Sequence, residues 1–220
     1  MKKSVIIFDF DGTLVESFRP GLECCLDTAK KHGWPITEGT TENIKRLWGS
    51  PTMIIMNACW PDKDPQVLRD AFNRLNIIMT VPLFPGVKET LERIRRNGAD
   101  MYIYTGRHRQ GTRRLLNLVG IAKFFSRILT CDDVKNGKPH PDGLNRIMEP
   151  LEKVGRARDD CLFVGDGFIS DRDCAEAAGI EFVAVAEAEN ISREHFREHG
   201  IPDSNIIDSV RDLPAWLGIR

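Results

Sequence analysis

A chain of 220 residues has room for one large domain, or for a core with a modest insertion, and is too short for a multi-enzyme polypeptide. Its 41% hydrophobic and 29% charged residues are those of a globular protein, which sets disordered and fibrous classes aside. With 31 basic against 32 acidic side chains the formal net charge is -1, so there is no general electrostatic argument for nucleic-acid binding.

At the amino terminus, Lys2 and Lys3 precede a short apolar run that Asp9 and Asp11 interrupt before it reaches the length of a signal peptide or a membrane span. The expectation is a cytoplasmic protein with no membrane partner. The six cysteines (Cys24, Cys25, Cys59, Cys131, Cys161 and Cys174) form no CxxC pair and lack dense spacing. That favours reduced packing thiols over disulfides or a zinc site.

Val5 to Phe8 is a continuous, β-branched apolar run and predicts a strand buried on both faces. From Glu16 to Val81 no comparable run occurs. Arg19 to His32 places Leu22, Cys25, Leu26 and Ala29 at helical spacing, and Gln66 to Ile78 does the same with Leu68, Ala71, Phe72 and Leu75. Gly33, Pro35, Gly49, Pro51, Pro61 and Pro65 punctuate this interval, which reads as a helical insertion.

Beyond the insertion the alternation of strand and helix resumes. Val87 to Asn97 starts after Pro85-Gly86 and stops at Gly98, with Leu91 and Ile94 on one face, so a helix is expected there. Strands are expected at Met101–Tyr104, Arg127–Thr130, Leu162–Val164 and Phe182–Val185, with Asn205–Ile207 a weaker candidate. Helices are expected at Leu144–Val154, Asp171–Ala178 and Ser192–His199. The pattern predicts an α/β fold with a doubly wound, Rossmann-like parallel sheet, which places functional residues at the carboxyl ends of its strands.

Acidic residues fall at those ends. Asp9 and Asp11 flank Phe10 just after the first strand, and Gly12 turns the chain. Two such carboxylates need a cation, and one can attack phosphorus while the other moves a proton; solvated aspartates in a turn are the alternative. Asp166 follows Leu162-Phe163-Val164-Gly165, with Asp171 and Asp173 close behind, a donor set suited to Mg²⁺. Asp171 has the alternative of a helix N-cap, and Asp173 that of decorating a first helical turn. Thr105 and Gly106 end another strand, where a hydroxyl and backbone N–H groups can hold a phosphate oxygen. Lys138 lies in the stiff loop Asn136-Gly137-Lys138-Pro139-His140-Pro141-Asp142, from which an ammonium can neutralise a phosphoryl group.

In order and spacing these four segments resemble the motifs of the haloacid dehalogenase-like superfamily, in its phosphoglycolate phosphatase-like branch. Asp9-Phe10-Asp11-Gly12-Thr13-Leu14 is similar to the first motif, Thr105 to the second, Lys138 to the third, and Gly165-Asp166 with Asp171 to the fourth. The resemblance implies that Asp9 is a nucleophile forming an aspartyl-phosphate, that Asp11 is the general acid and base, and that Thr105, Gly106 and Lys138 bind the phosphoryl group. It also implies Mg²⁺ held by Asp9, the Asp11 carbonyl, Asp166 and Asp171. Residues 16–81 then correspond to an α-helical cap domain, with residues 1–15 and 82–220 as the core. Two departures stand out: Gly106 replaces the asparagine of many relatives, and the interval from Asp166 to Asp171 is the longer of the family's forms.

The implied activity is hydrolysis of a small phosphorylated metabolite, with a sugar phosphomutase or a non-enzymatic phosphoacceptor module as alternatives. No oligomeric state is assigned. Arg107, His108, Arg109, Arg113 and Arg114 read mainly as a solvated helix face, with Arg107 the exception to test. Arg19 and Arg46 read as solvent-exposed, and His195 and His199 as part of a charged solvent face. Trp48 or Trp60 is a candidate lining for the inner face of the insertion.

Overall fold

A computed structural model of the chain describes residues 3–219. Six strands, β1 (Val5–Phe8), β2 (Asp100–Tyr104), β3 (Arg127–Leu129), β4 (Cys161–Gly165), β5 (Glu181–Val185) and β6 (Ile206–Ile207), form one parallel sheet in the order β3-β2-β1-β4-β5-β6. β1 is buried along its whole length, which explains its lack of polar alternation. Val5 and Ile7 face one side of the sheet, and Ile6 and Phe8 the other.

Between β1 and β2 lie five helices, of which the first four are α1 (Phe18–Lys31), α2 (Glu38–Arg46), α3 (Thr52–Cys59) and α4 (Pro65–Ile78). The remaining helices are α5 (Val87–Arg96), α6 (Arg109–Val119), α7 (Asp142–Glu152), α8 (Asp173–Ala178), α9 (Arg193–Glu198) and α10 (Leu213–Trp216). Leu91 and Ile94 of α5, Leu115 and Leu116 of α6 and Leu213 of α10 pack on the Ile6 and Phe8 face. Leu144 and Ile147 of α7, Cys174 and Ala175 of α8 and Phe196 of α9 cover the Val5 and Ile7 face. This is the doubly wound arrangement that the alternation predicts.

Helices α1 to α4 bury a cluster of their own, including Cys25, Ile44, Ile55, Trp60 and Leu68. Trp60 sits at its centre and donates its indole N–H to the Pro35 carbonyl at 2.7 Å, so it packs inside this bundle rather than lining an inner face. Helices α2 and α3 are short and lack the long apolar stripe that marks α1 and α4. Thr37 caps α2 by accepting the Thr40 N–H at 3.2 Å, a local start signal more informative than periodicity here.

The chain crosses between sheet and bundle at two adjacent points. Glu16 N–H donates to the Pro82 carbonyl at 3.0 Å and Phe84 N–H to the Leu14 carbonyl at 3.1 Å, tying the outgoing and returning segments together. One predicted helix is reshaped: Phe168–Arg172 forms a π-helical turn, and α8 begins only at Asp173. All six cysteines are free.

Candidate active site

The strand order reverses between β1 and β4, and a doubly wound sheet opens a crevice at the carboxyl ends of two such strands. Register makes them end level, Phe8 opposite Val164, and Asp9 N–H donates to the Val164 carbonyl at 2.8 Å. A cleft of about 590 Å³ lies there, a size suited to a small-molecule ligand. Asp9, Asp11, Thr105, Gly106, Lys138, Asp166 and Asp171, the residues singled out in the sequence, all line it. The opposite wall comes from the helical bundle through Trp48, Ile55, Phe72 and Asn76.

Asp9, Asp166 and Asp171 are buried, and one oxygen from each lies within 4.8 Å of the others. Lys138 Nζ bridges two of them, 2.6 Å from Asp9 Oδ1 and 2.6 Å from Asp171 Oδ1. Asp166 accepts a hydrogen bond from a hydroxyl, Thr13 Oγ1 at 2.9 Å. Burial, followed by the charges of Asp9 and Asp171, pushes the Asp166 carboxyl well above the ordinary range. Burial likewise pushes Asp9 up to about 7, against the pull of Lys138. Burial alone would lower the Lys138 ammonium, but Asp171 and Asp9 outweigh it and keep the group charged.

Three carboxylates around one ammonium leave a buried anionic excess. Their donor atoms are all hard oxygens, which suits a small divalent cation. Backbone shape makes the approach possible. Gly12 has φ +77°, and a Cβ there would lie 2.1 Å from Asp166 Oδ2. Gly167, with φ -89°, is restricted by space alone: a Cβ would fall 2.1 Å from Ser170 Oγ and 2.9 Å from Asp171 Oδ2. Gly167 N–H donates to Asp171 Oδ2 at 2.9 Å, so Asp171 is fixed within the π-helical turn and does not cap α8.

Asp11 points to a different partner. Arg107, buried despite its charge, donates from Nε to Asp11 Oδ2 at 3.0 Å and from Nη2 to Asp11 Oδ1. Burial would raise the Asp11 carboxyl, but Arg107 overrides it and holds the group below the ordinary range. Thr105 Oγ1 accepts the Arg107 N–H at 3.2 Å and so shapes this turn. Gly106 is exposed, and a Cβ there would meet no protein atom within 4 Å. Its openness leaves room for a ligand beside the backbone.

A sequence pattern of the haloacid dehalogenase-like hydrolases matches residues 6–185, a span from β1 through β5. The chain belongs to this family. It is similar to the phosphoglycolate phosphatase of Escherichia coli O157:H7, with 28% identity over 241 residues covering 97% of this chain and 92% of that protein. It is 28% identical to pyrophosphatase PpaX of Oceanobacillus iheyensis over 221 residues, covering 99% and 98% of the two. A crystal structure from Bacteroides fragilis, assigned to the same hydrolases, superposes with a TM-score of 0.82 at 26% identity, covering 96% of this chain and all of that one. This haloacid dehalogenase-like chain is therefore an enzyme of the phosphoglycolate phosphatase-like branch.

Other residues lie apart from the reacting groups. Arg19 pairs with Glu189 at 2.6 Å on the surface, and Arg46 is exposed. Arg109 pairs with Asp133 at 2.6 Å, and Arg114 donates to the Met79 carbonyl at 2.9 Å. His195 and His199 depart from the expected solvent face: both rings are half-buried against Phe168, with centroids 4.7 and 3.9 Å away. Their polar neighbours in sequence hide this, because the contact is made by the distant π-helical turn. Among the described residues no helix is long and apolar enough to cross a membrane.

Proposed function

We propose that this phosphatase-branch enzyme is a Mg²⁺-dependent phosphomonoester hydrolase acting on a small phosphorylated metabolite through an aspartyl-phosphate. The observation that carries the reading is Asp9, buried at the end of β1 and bridged by Lys138 to Asp171 within a carboxylate cluster that lines the cleft. An Asp9 oxygen attacks phosphorus, and the bond to the leaving oxygen breaks. Asp11, ionised while Arg107 holds both its oxygens, has to release part of that fork and take up a proton before it can give one to the leaving oxygen. Asp11 then takes one from the water that attacks phosphorus and frees Asp9 and inorganic phosphate. Lys138, Thr105 and the backbone at Gly106 hold the phosphoryl oxygens.

Asp9, the Asp11 carbonyl, Asp166 and Asp171 would hold Mg²⁺, which supplies Lewis-acid stabilisation of charge on the phosphoryl group. Residues 16–81 are read as a cap over a core of residues 1–15 and 82–220. Support comes from the bundle's separate apolar cluster and from Trp48 and Phe72 in the wall facing Asp9. The relatives named as phosphoglycolate phosphatase and pyrophosphatase favour a small anionic substrate.

Phosphate release over many turnovers, measured with Mg²⁺ across phosphoglycolate, pyrophosphate, sugar phosphates and nucleotides, tests the proposal. At least one small phosphomonoester is expected to turn over, and its hydrolysis is expected to vanish in Asp9→Asn. Stoichiometric phosphorylation without turnover, or transfer back to a sugar, would replace hydrolysis with another chemistry.

A further inference from the structure

At the carboxyl ends of β2 and β3, three side chains of unlike chemistry converge. His108 immediately precedes α6, and Cys131 and Asp132 begin the turn after β3. His108 Nδ1 lies 2.6 Å from Asp132 Oδ1. Cys131 Sγ lies 3.4 Å from His108 Nδ1 and 3.8 Å from Asp132 Oδ1. His108 and Cys131 also line the cleft.

A tetrahedral ion with bonds of about 2.0 Å to nitrogen and oxygen and about 2.3 Å to sulfur keeps its donors roughly 3.3–3.7 Å apart. The two separations that involve sulfur are already close to this. The nitrogen–oxygen pair has to open by about 0.7 Å once a cation replaces the shared proton. Asp132 is held in place for this role, because its other oxygen, Oδ2, accepts the Arg109 N–H at 2.8 Å.

We propose that His108, Cys131 and Asp132 form a second metal site, selective for a borderline divalent ion such as Zn²⁺ and open to the cleft at its remaining position. Donor chemistry separates it from the carboxylate cluster: nitrogen and sulfur favour Zn²⁺ or Co²⁺, whereas hard oxygens favour Mg²⁺. Three protein ligands leave room for water or an anionic group from a molecule in the cleft. Binding breaks the Cys131 S–H bond, forms a sulfur–metal bond and releases one proton to solvent, with no change in oxidation state. The three residues fall in two separated segments with no zinc-ligand spacing, so folding alone brings them together.

The test uses the whole reduced chain, stripped of metal, with a large excess of Mg²⁺ to occupy the oxygen site, and titrates it with Co²⁺. A thiolate-to-cobalt charge-transfer band saturating at one Co²⁺ per chain is expected, and Zn²⁺ should abolish it. Cys131→Ser should lose the band, and His108→Ala should weaken Co²⁺ binding by more than about tenfold. No band in the wild-type chain, or an intact band in folded Cys131→Ser, would overturn the proposal. If the variant does not fold, alkylation mapping of the wild-type chain decides. One equivalent of Zn²⁺ is expected to shield Cys131 while leaving Cys24 and Cys59 reactive, and unchanged labelling of Cys131 would reject the site. These readouts do not depend on phosphatase activity.

Discussion

Arg107 holds both carboxylate oxygens of Asp11 and, through Nη1, also donates to the Asn76 carbonyl at 3.2 Å, near the end of α4. One buried guanidinium thus joins the proposed acid–base residue to the helical bundle. Its planar fork fits two oxygens at once, which a lysine ammonium cannot reproduce. Asp11 is thereby fixed beside Asp9 while the bundle is packed against the cleft.

Arg107→Lys and Arg107→Ala are each expected to lower kcat/KM, the alanine variant by roughly 10–100-fold, the range that loss of a charged hydrogen-bond pair spans when it is felt in the transition state. Arg107 is buried and also ties the Asn76 carbonyl, so the alanine variant is expected to melt lower as well, and its kinetics are compared at a temperature where it is fully folded. Steady-state kinetics beside thermal melts check this. A purely structural role would move the melt alone and spare kcat/KM.

Much of the fold is legible because its signals are local. Val5–Phe8 needs no partner to announce a buried strand, and the aspartates after it and after Val164 mark strand ends directly. The seven cleft residues named from the sequence converge for the same reason. What stays hidden depends on tertiary contacts: the reach of Arg107 to Asn76, the bond of Thr13 to Asp166, and the stacking of His195 and His199 on Phe168. Asp171 is intermediate. Its acidity is visible in the chain, but its fixation by the Gly167 N–H requires a π-helical turn that no periodicity predicts.

Asp9→Asn is expected to abolish turnover with little change in the stability of the metal-free protein, since loss of one of the two Lys138 ion pairs offsets the relief of crowding among the carboxylates. The amide keeps the shape while removing both the nucleophilic oxyanion and one negative charge from a crowded buried cluster. Burst and steady-state phosphate release, with a thermal melt, check both halves. Full activity would reject the nucleophile assignment.

Asp166 and Asp171 should separate by their partners. Asp166→Ala removes a buried carboxylate that is hydrogen-bonded to the Thr13 hydroxyl and to no cation among the described residues, so a higher Mg²⁺ requirement with little loss of stability is expected. Asp171→Ala leaves the buried Lys138 with one anionic partner fewer and strands the Gly167 N–H. That loss should cost about 1–3 kcal/mol, or several degrees of melting temperature. Magnesium titrations of activity and melts on both variants check the contrast, and matching behaviour would remove it.

Gly12→Ala tests the backbone approach. An added Cβ meets the Asp166 carboxylate at 2.1 Å, and φ +77° costs an L-residue about 1–2 kcal/mol even before that contact. Lower stability is expected together with a higher Mg²⁺ requirement for activity, measured by melting and metal titration. Normal values for both would show that the loop relaxes freely.

The last prediction concerns selection of the leaving group. The bundle buries Cys25, Ile44, Ile55, Trp60 and Leu68 in a cluster distinct from those flanking the sheet, so its removal need not open the main core. Leu75, Met79 and Val81 are different, because they pack against the sheet side. Retaining them means replacing residues 18–74, joining Ser17 to Leu75 through about six glycine and serine residues, a reach of up to roughly 20 Å. The hydrogen bonds of Glu16 to Pro82 and Phe84 to Leu14 keep the two crossings together without the bundle. In the proposed reading a closed lid would exclude stray water and supply the wall that contacts the leaving group, whereas Asp9, Thr105 and Lys138 would address the phosphoryl group. The shortened chain is therefore expected to hydrolyse a small activated aryl phosphate at a measurable rate while losing discrimination among natural phosphates. Comparing kcat/KM across one substrate panel for both chains checks it. A folded short chain with the full-length selectivity profile would place specificity in the sheet domain and reject the cap role.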